Sequence, residues 1–347
     1  MSVIPEKRIK CLVWDLDQTL WSGILLEGDV VVLRPGIRET IAELDKRGIL
    51  QSIASQNDSE LAIRQLTAWG LGDYFLHPQI SLAADKPAQI SNIANLLNLQ
   101  LKHVAFIDDD PSQRAYVAYA LPAVTVLEAD QGPTLAQMAM FAVDHPTEEA
   151  RRRREFYQAD SRRQAVERSW GGRRLDFLRH CHTVLVLRPA VPKDVPRISE
   201  LIERTNQLNT AAHHFTEQDI STRLDSPDCC LMMAQMSVRF GDYGTVGVMI
   251  IHRSQRRWLI EVLLVSCRVM GRGVGEALLC YGIGQAKAHG QQSLRAVYRM
   301  TAYNRAMHLL FVTHGFRRER EQNGVVTFAH DLAIIPDYPV WLDVQVT

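Results

Sequence analysis

Two kinds of apolar pattern alternate along this chain: short unbroken runs closed by polar residues, and longer stretches with apolar residues three or four apart. The first kind predicts strands and the second helices. Cys11-Leu12-Val13-Trp14 is such a run, and it stops at Asp15-Leu16-Asp17-Gln18-Thr19. Arg34-Pro35-Gly36 then opens a helical pattern, Ile37, Ile41 and Leu44, that ends at Gly48. A second strand, Ile49 to Ala54, closes in Ser55-Gln56-Asn57-Asp58, and a helix carrying Leu61, Ile63 and Leu66 follows. Lys86-Pro87 starts another helix, with Ile90, Ile93, Ala94 and Leu97, before a third strand, His103 to Ile107, closes in Asp108-Asp109-Asp110-Pro111. Strands alternating with helices imply βαβ units and a parallel sheet, with the ligand site at the carboxyl ends of the strands. The turn-rich stretch 19–33 is too short for a large cap over that rim.

Farther on, one long apolar strand, Trp258 to Val265, runs into Ser266-Cys267-Arg268-Val269-Met270-Gly271-Arg272-Gly273-Val274-Gly275 and then an apolar helix from Ala277. At 347 residues the chain exceeds one ordinary core. We read a first domain at 1–145, an Arg-rich helical linker at 146–180 and a second domain at 181–347. The linker carries nine Arg between 151 and 174, and Phe156, Ala159, Val166 and Trp170 form an apolar stripe interrupted by Arg163. It reads as a solvated connecting helix, or as a docking surface for an acidic partner such as a carrier protein.

Composition narrows the class. Hydrophobic content of 46% and charged content of 22% are globular values, and the formal net charge is zero. No global field therefore recruits nucleic acid or a membrane. There is no apolar run of transmembrane length, and Met1-Ser2-Val3-Ile4-Pro5-Glu6-Lys7 lacks a signal peptide's apolar core, so a cytoplasmic location is expected. The six cysteines include no C-x-x-C pair, which argues against disulfides and structural zinc.

The three strands of the first domain deliver Asp15 and Asp17, then Ser55 and Asn57, then Asp108 and Asp109 to one rim, with Lys86 from a neighbouring loop. This constellation resembles the haloacid dehalogenase (HAD) phosphohydrolases. The resemblance implies a HAD-like Rossmannoid parallel sheet with a minimal cap, in which Asp15 attacks phosphorus and Asp17 is the general acid/base. Ser55 and Asn57 would hydrogen-bond the phosphoryl group while Lys86 offsets its charge. Asp15, Asp17, Asp108 and Asp109 would hold Mg²⁺. Three consecutive Asp leave the ligand assignment open between them, with Asp108 favoured. A site without a large lid would also be accessible to a phosphate on a bulky carrier.

In the second domain Arg268-x-x-Gly271-x-Gly273 resembles the pyrophosphate loop of GNAT acyltransferases, with Gly275 at the start of the helix. Asn304-Arg305-Ala306-Met307 and Thr313-His314-Gly315-Phe316 match the end of the same α/β fold. The resemblance places Cys267 where the transferred acyl group lies, beside a loop that would hold a pantetheine phosphate through Arg268, Gly271, Gly273 and Gly275. Asn206, Gln207, Asn209 and Asn304 are candidates for the acyl pocket. Amide-rich runs serve equally as loops and caps. His213 and His214 are candidate general bases or plain surface residues.

The two halves together resemble the FkbH-like family of bifunctional glyceryl transferase/phosphatases. The carriers of that resemblance are Trp14 through Trp21, Glu27-Gly28-Asp29, Leu33 through Gly36, Arg47 through Ser55, Phe106 through Asp109, Arg204 through Asn209, and Ser266 through Met270. Gln18, Gln56 and the run Asp110-Pro111-Ser112-Gln113-Arg114 depart from the family's pattern. The resemblance implies 1,3-bisphosphoglycerate as substrate and the phosphopantetheine thiol of an acyl carrier protein as acceptor. Cys267 would displace the acyl phosphate, and the Asp15 site would remove the remaining phosphate ester. A HAD phosphatase fused to a CoA-dependent N-acyltransferase is the competing expectation, and a carrier-docking module with a vestigial phosphatase site is a third.

Overall fold

The apolar run at Cys11–Trp14 is strand β1, and all four of its side chains are buried. The computed structural model describes residues 8–83, 85–143, 146–205, 207–211, 215–254 and 257–347, and the chain divides into two compact units, Met1–Gln158 and Ala159–Thr347.

In the first unit β1 is followed by β2 (Trp21–Ser22), β3 (Val32–Leu33), helix α1 (Ile37–Lys46), β4 (Leu50–Ser55), α2 (Ser59–Ala68), β5 (Gln79–Ile80), α3 (Lys86–Leu96), β6 (Val104–Asp108), α4 (Pro111–Ala120) and β7 (Thr125–Glu128). The sheet is parallel, in the order β5-β4-β1-β6-β7. Leu12 and Trp14 join one apolar cluster and Cys11 and Val13 another, so β1 is sealed on both faces as a central parallel strand must be. A buried amide is tolerated in this core because it is fully engaged: Gln51 accepts from Trp14 Nε1 at 3.0 Å and donates to the Ile41 carbonyl at 2.9 Å. Trp14 stands level with Ile53 and Ile107, so Asp15, Ser55 and Asp108 emerge together at one rim. Between β1 and α1 lie a two-rung hairpin of β2 with β3 and a short 3₁₀ turn.

The Arg-rich segment forms α5 (Glu148–Arg151), α6 (Arg153–Arg168) and α7 (Arg174–His180), and the division between the units falls inside α6. Several of its arginines are packed rather than solvated. In the first unit Arg153 is buried and donates to the Gly48 carbonyl at 2.6 Å, while Arg154 pairs with Asp45 and lies over Tyr74. In the second, Arg163, which breaks the apolar stripe in sequence, is buried against Phe177 and ion-paired with Asp160 and Glu167.

The second unit continues through β8 (Thr183–Pro189), α8 (Val195–Arg204), α9 (Glu217–Leu224), β9 (Cys229–Val238), β10 (Gly241–Arg253), β11 (Trp258–Val265), α10 (Val274–Ala288), β12 (Leu294–Arg299), α11 (Arg305–Thr313), β13 (Arg317–Gln322), β14 (Val325–His330) and β15 (Leu342–Val346). One eight-stranded sheet has the order β13-β14-β12-β11-β10-β9-β8-β15. Residues of α8 and α9 cover one face, and those of α10 and α11 the other. The parallel pair β11 and β12 is joined only from Trp258–Ile260 to Leu294–Ala296, beyond which the strands part. The fold is thus α/β throughout: a parallel sheet with a short hairpin between β1 and α1, then a mixed sheet with one splayed parallel pair.

Candidate functional site

At the rim of the first unit, Lys86 opens α3 from the N-cap Asp85, and its ammonium bridges two carboxylates. Nζ donates to Asp15 Oδ1 at 2.7 Å and also to Asp108 Oδ2. Asp15, Asp108 and Asp109 bring one carboxylate oxygen each to within 4.8 Å of one another. Burial, reinforced by Asp108, pushes Asp15 up to about 6, while Lys86 and the Ser55 hydroxyl pull against it. Burial likewise raises Asp108, against the pull of Lys86. The Lys86 ammonium favours the ionised form of Asp15, the form an attacking carboxylate needs. The donor set is all oxygen and holds more negative charge than Lys86 offsets, which suits a hard divalent cation such as Mg²⁺.

Asp17 is turned differently from the expected metal ligands. Its Oδ1 accepts from Trp21 Nε1 at 2.7 Å and from the Leu25 N–H at 3.2 Å, and its Oδ2 accepts from Asn57 Nδ2 at 2.9 Å. Its carboxylate is not one of the three that stand within 4.8 Å of one another. Asn57 is correspondingly spent on Asp17 and on the Asp58 N–H. Asp110 caps α4 by accepting from the Ser112 N–H at 2.8 Å, so of the three consecutive aspartates it is the capping one. Thr19 has a role that its sequence position alone does not suggest. It is fully buried, and its hydroxyl accepts from the Asp109 N–H at 2.9 Å and lies 3.2 Å from Asp109 Oδ1, fixing the loop that carries the third carboxylate. The signal that could have found it is a hydroxyl residue two positions after an acidic pair, just before Leu20-Trp21.

In the second unit the splay between β11 and β12 is wedged open by Leu208 to Thr210. The Thr210 N–H donates to the Leu263 carbonyl at 3.1 Å, Val265 N–H to the Leu208 carbonyl at 2.9 Å, and Arg299 N–H to the Thr210 carbonyl at 2.9 Å. Thr210 Oγ1 accepts from the Leu263 N–H at 2.9 Å. Beside this wedge lies a cavity of about 300 Å³ lined by Leu208, Val265, Val269, the Met270–Glu276 region and Leu310. The loop after β11 runs through a 3₁₀ turn over Cys267–Val269 and reaches the cavity from Val269 on, with Gly271 and Gly273 at φ of 70° and 92°. Those angles favour glycine, and Gly273 lets the chain enter α10, whose first N–H groups have no intrahelical acceptor. Gly275 serves packing instead, since a Cβ there would meet Leu310 Cδ2 at 2.7 Å.

Cys267 is half-buried at the start of this turn and packs on the core, but it is not among the residues lining the cavity. Arg268 folds back on the sheet: Nε donates to Ser266 Oγ at 3.3 Å and Nη2 to the Tyr243 carbonyl at 3.3 Å. Arg174 instead brings Nη2 to 3.2 Å from where a Cβ on Gly271 would stand. Two expected pocket amides are structural. Asn304 is fully buried, donates to the Asn209 and Arg299 carbonyls, and accepts from Tyr298 Oη and the Thr301 N–H. Asn209 donates to the Thr205 carbonyl and accepts from the Ala211 N–H. Gln207 is partly exposed, and Asn206, His213 and His214 lie outside the described residues.

No family model and no curated protein matches this chain. Among solved structures it is similar to the N-terminal part of protein BF1531 from Bacteroides fragilis, which contains a phosphatase domain and was crystallised with Mg, at 27% identity and a TM-score of 0.33 over 40% of this chain and 41% of that one. The match thus spans about two fifths of the crystallised Bacteroides chain. The ribosomal-protein-S18-alanine N-acetyltransferase of Escherichia coli aligns over 44% of this chain and 97% of its own, at 15% identity and a TM-score of 0.35. The PaiA N-acetyltransferase of Thermoplasma acidophilum, solved with coenzyme A, aligns over 42% and 98%, at 13% identity and a TM-score of 0.36. No helix among the described residues is long and apolar enough to cross a membrane.

Proposed function

We propose that the protein is a phosphatase fused to an acyltransferase, acting as a bifunctional glyceryl transferase/phosphatase on 1,3-bisphosphoglycerate and an acyl carrier protein. The observation that carries the phosphatase half is the Lys86 bridge between Asp15 and Asp108, with Asp109 beside them. An Asp15 oxygen attacks the phosphorus of the ester and the P–O bond to the glyceryl carbon's oxygen breaks, while Asp17, having taken up a proton from solvent at Oδ2 once Asn57 lets go, gives that proton to the departing oxygen. Water then gives a proton to Asp17 and attacks the same phosphorus, the P–O bond to Asp15 breaks, and inorganic phosphate leaves. Mg²⁺, when bound by Asp15, Asp108 and Asp109, supplies charge neutralisation for the phosphoryl oxygens. Lys86 keeps the two buried carboxylates ionised and in register, and Thr19 holds the third.

The acyltransferase half rests on the splayed strand pair, the cavity and the position of Cys267. The acyl phosphate is already activated, so the Cys267 sulfur forms a C–S bond while the C–O bond to phosphate breaks. A pantetheine thiol lying in the cavity then takes the acyl group by thioester exchange. Arg174, whose guanidinium stands beside Gly271, is the cation we assign to the phosphate of that arm. Intact-protein mass spectrometry after adding 1,3-bisphosphoglycerate tests this: the reading expects an acyl adduct that Cys267→Ala abolishes. One observation favours a second reading, a CoA-dependent N-acyltransferase, because Cys267 does not line the cavity. That reading expects no adduct and an activity that requires acyl-CoA and an amine.

A further inference from the structure

Toward the opposite end of β11 from Cys267, four side chains from four elements form a connected chain of hydrogen bonds that the proposed reaction does not use. Cys229 opens β9, His252 lies near the end of β10, Glu261 is in β11 and Arg223 is in α9. Cys229 Sγ is 3.0 Å from His252 Nδ1, and His252 Nε2 is 2.8 Å from Glu261 Oε2. Arg223 grips the same carboxylate with both arms, Nε at 2.8 Å and Nη2 at 2.6 Å, and lies over Phe215. Burial alone would raise Glu261, but the hydrogen bonds from Arg223 and His252 hold it below the usual carboxylate range. An ionised carboxylate only accepts, so in the neutral ring Nε2 carries the hydrogen and Nδ1 presents its lone pair to the thiol. This is the sequence nucleophile, base, orienting carboxylate that activates a cysteine.

The surroundings decide which electrophile such a thiol can take. A carbonyl electrophile needs N–H donors for the oxyanion, but the Cys229 N–H is already donated to the Ser226 carbonyl at 3.0 Å. Attack at sulfur needs no such donors. The neighbouring thiol of Cys230 cannot close a disulfide within the strand. Successive strand residues point to opposite faces, and Cys229 and Cys230 pack in clusters on the two sides of the sheet. The sulfur partner must therefore come from solution, and the base is within its reach, since the His252 side chain is 41% exposed.

We propose that Cys229 is a reactive thiol, with His252 as its base and Glu261 as the positioning residue, and that it is a site of mixed-disulfide modification by small-molecule disulfides. Burial, together with Glu261 and Asp228, holds the resting thiol above its ordinary value, against Ser226 and Arg223, so the proton has to be handed over during reaction. The Cys229 proton passes to His252 Nδ1 as its sulfur attacks one sulfur of the disulfide. The S–S bond breaks, a new S–S bond forms to Cys229, and the departing thiolate takes the proton from Nδ1. The protein thiol is oxidised and one half of the reagent is reduced to a thiol.

The test uses the full chain carrying Cys267→Ala, treated with glutathione disulfide at neutral pH, with the modified peptides quantified by mass spectrometry. Cys229 is expected to react ahead of Cys230 and Cys181, and His252→Gln to slow it by about tenfold or more. Glu261→Gln is expected to slow Cys229 as well while leaving Cys230 and Cys181 unchanged. Loss of folding has the opposite signature, faster reaction at every cysteine, so the variants cannot mimic the expected result by unfolding. Modification at Cys230 or Cys181 before Cys229, or an unchanged Cys229 rate in His252→Gln, overturns the proposal.

Discussion

At the rim of the five-stranded sheet, the chemistry is carried by side chains: Asp15, Lys86, Asp108 and Asp109 meet with their charged atoms turned to one another, held by Ser55 and Thr19. At the splay of the eight-stranded sheet, the space is shaped by backbone and apolar surface: a three-residue wedge, two left-handed glycines and a cavity walled by Leu208, Val265, Val269 and Leu310. Phosphoryl transfer develops charge and calls for preorganised charge in return, whereas holding an extended thiol arm requires a slot of the right width. The first kind of site tolerates little change in residue identity. The second tolerates identity changes but not changes of volume.

The largest effect should therefore come from Lys86→Met. It leaves Asp15 and Asp108 buried without their cation, so chemical denaturation should show a loss of about 3 kcal/mol. Phosphatase turnover should fall by about a hundredfold. If both stability and turnover are retained, the bridge is incidental. Next, Thr19→Val removes the hydroxyl anchoring Asp109, and the Mg²⁺ concentration for half-maximal phosphatase activity should rise by about tenfold. An unchanged Mg²⁺ requirement would separate Asp109 from metal binding.

On the other side of the comparison, Gly275→Ala pushes Leu310 toward the cavity, and the resulting overpacking should cost about 1–3 kcal/mol. Acyl transfer should weaken through KM with phosphatase activity unaltered, and loss of both activities would mean the two sites are not separable in this way. The smallest effect is a pH dependence. Burial alone would raise Asp160, but Arg272 and Arg163 pull it below its ordinary value of 3.8. Its stabilising contribution is thus complete above that value and is lost as pH falls through the lower folded one. Asp160→Asn should flatten the acid limb of the stability curve of the wild type below about pH 4. An acid limb of unchanged steepness would place the loss elsewhere.

The same contrast governs how much of the fold and of the site is legible in the amino-acid sequence. β1, β4 and β6 are legible, within one residue at their ends, because central parallel strands are continuous apolar runs, and their polar terminations name Asp15, Ser55 and Asp108 directly. How the Asp17 carboxylate is held is not legible, because nothing in D-x-D spacing says that Trp21 and the Leu25 N–H will claim it. The amides of the second unit are harder still. Asn209 and Asn304 are polar and close in space, yet they are consumed in holding Leu208–Thr210 between two diverging strands. That requirement arises from the pairing of β11 with β12, which stops after Ile260, and no local pattern announces where a strand pair parts. Arg163 is a similar case: it interrupts an apolar stripe, and only the positions of Asp160, Glu167 and Phe177 show why it is buried.

The central claim is that the side-chain site removes a phosphate and the backbone-shaped site moves an acyl group. Incubation with 1,3-bisphosphoglycerate, Mg²⁺ and pantetheine, followed by mass analysis of the thioester product, tests both at once. The account predicts glyceryl-pantetheine from the wild type, phosphoglyceryl-pantetheine from Asp15→Asn, and no thioester from Cys267→Ala. A dephosphorylated thioester from Asp15→Asn, or any thioester formed at the wild-type rate by Cys267→Ala, would contradict it.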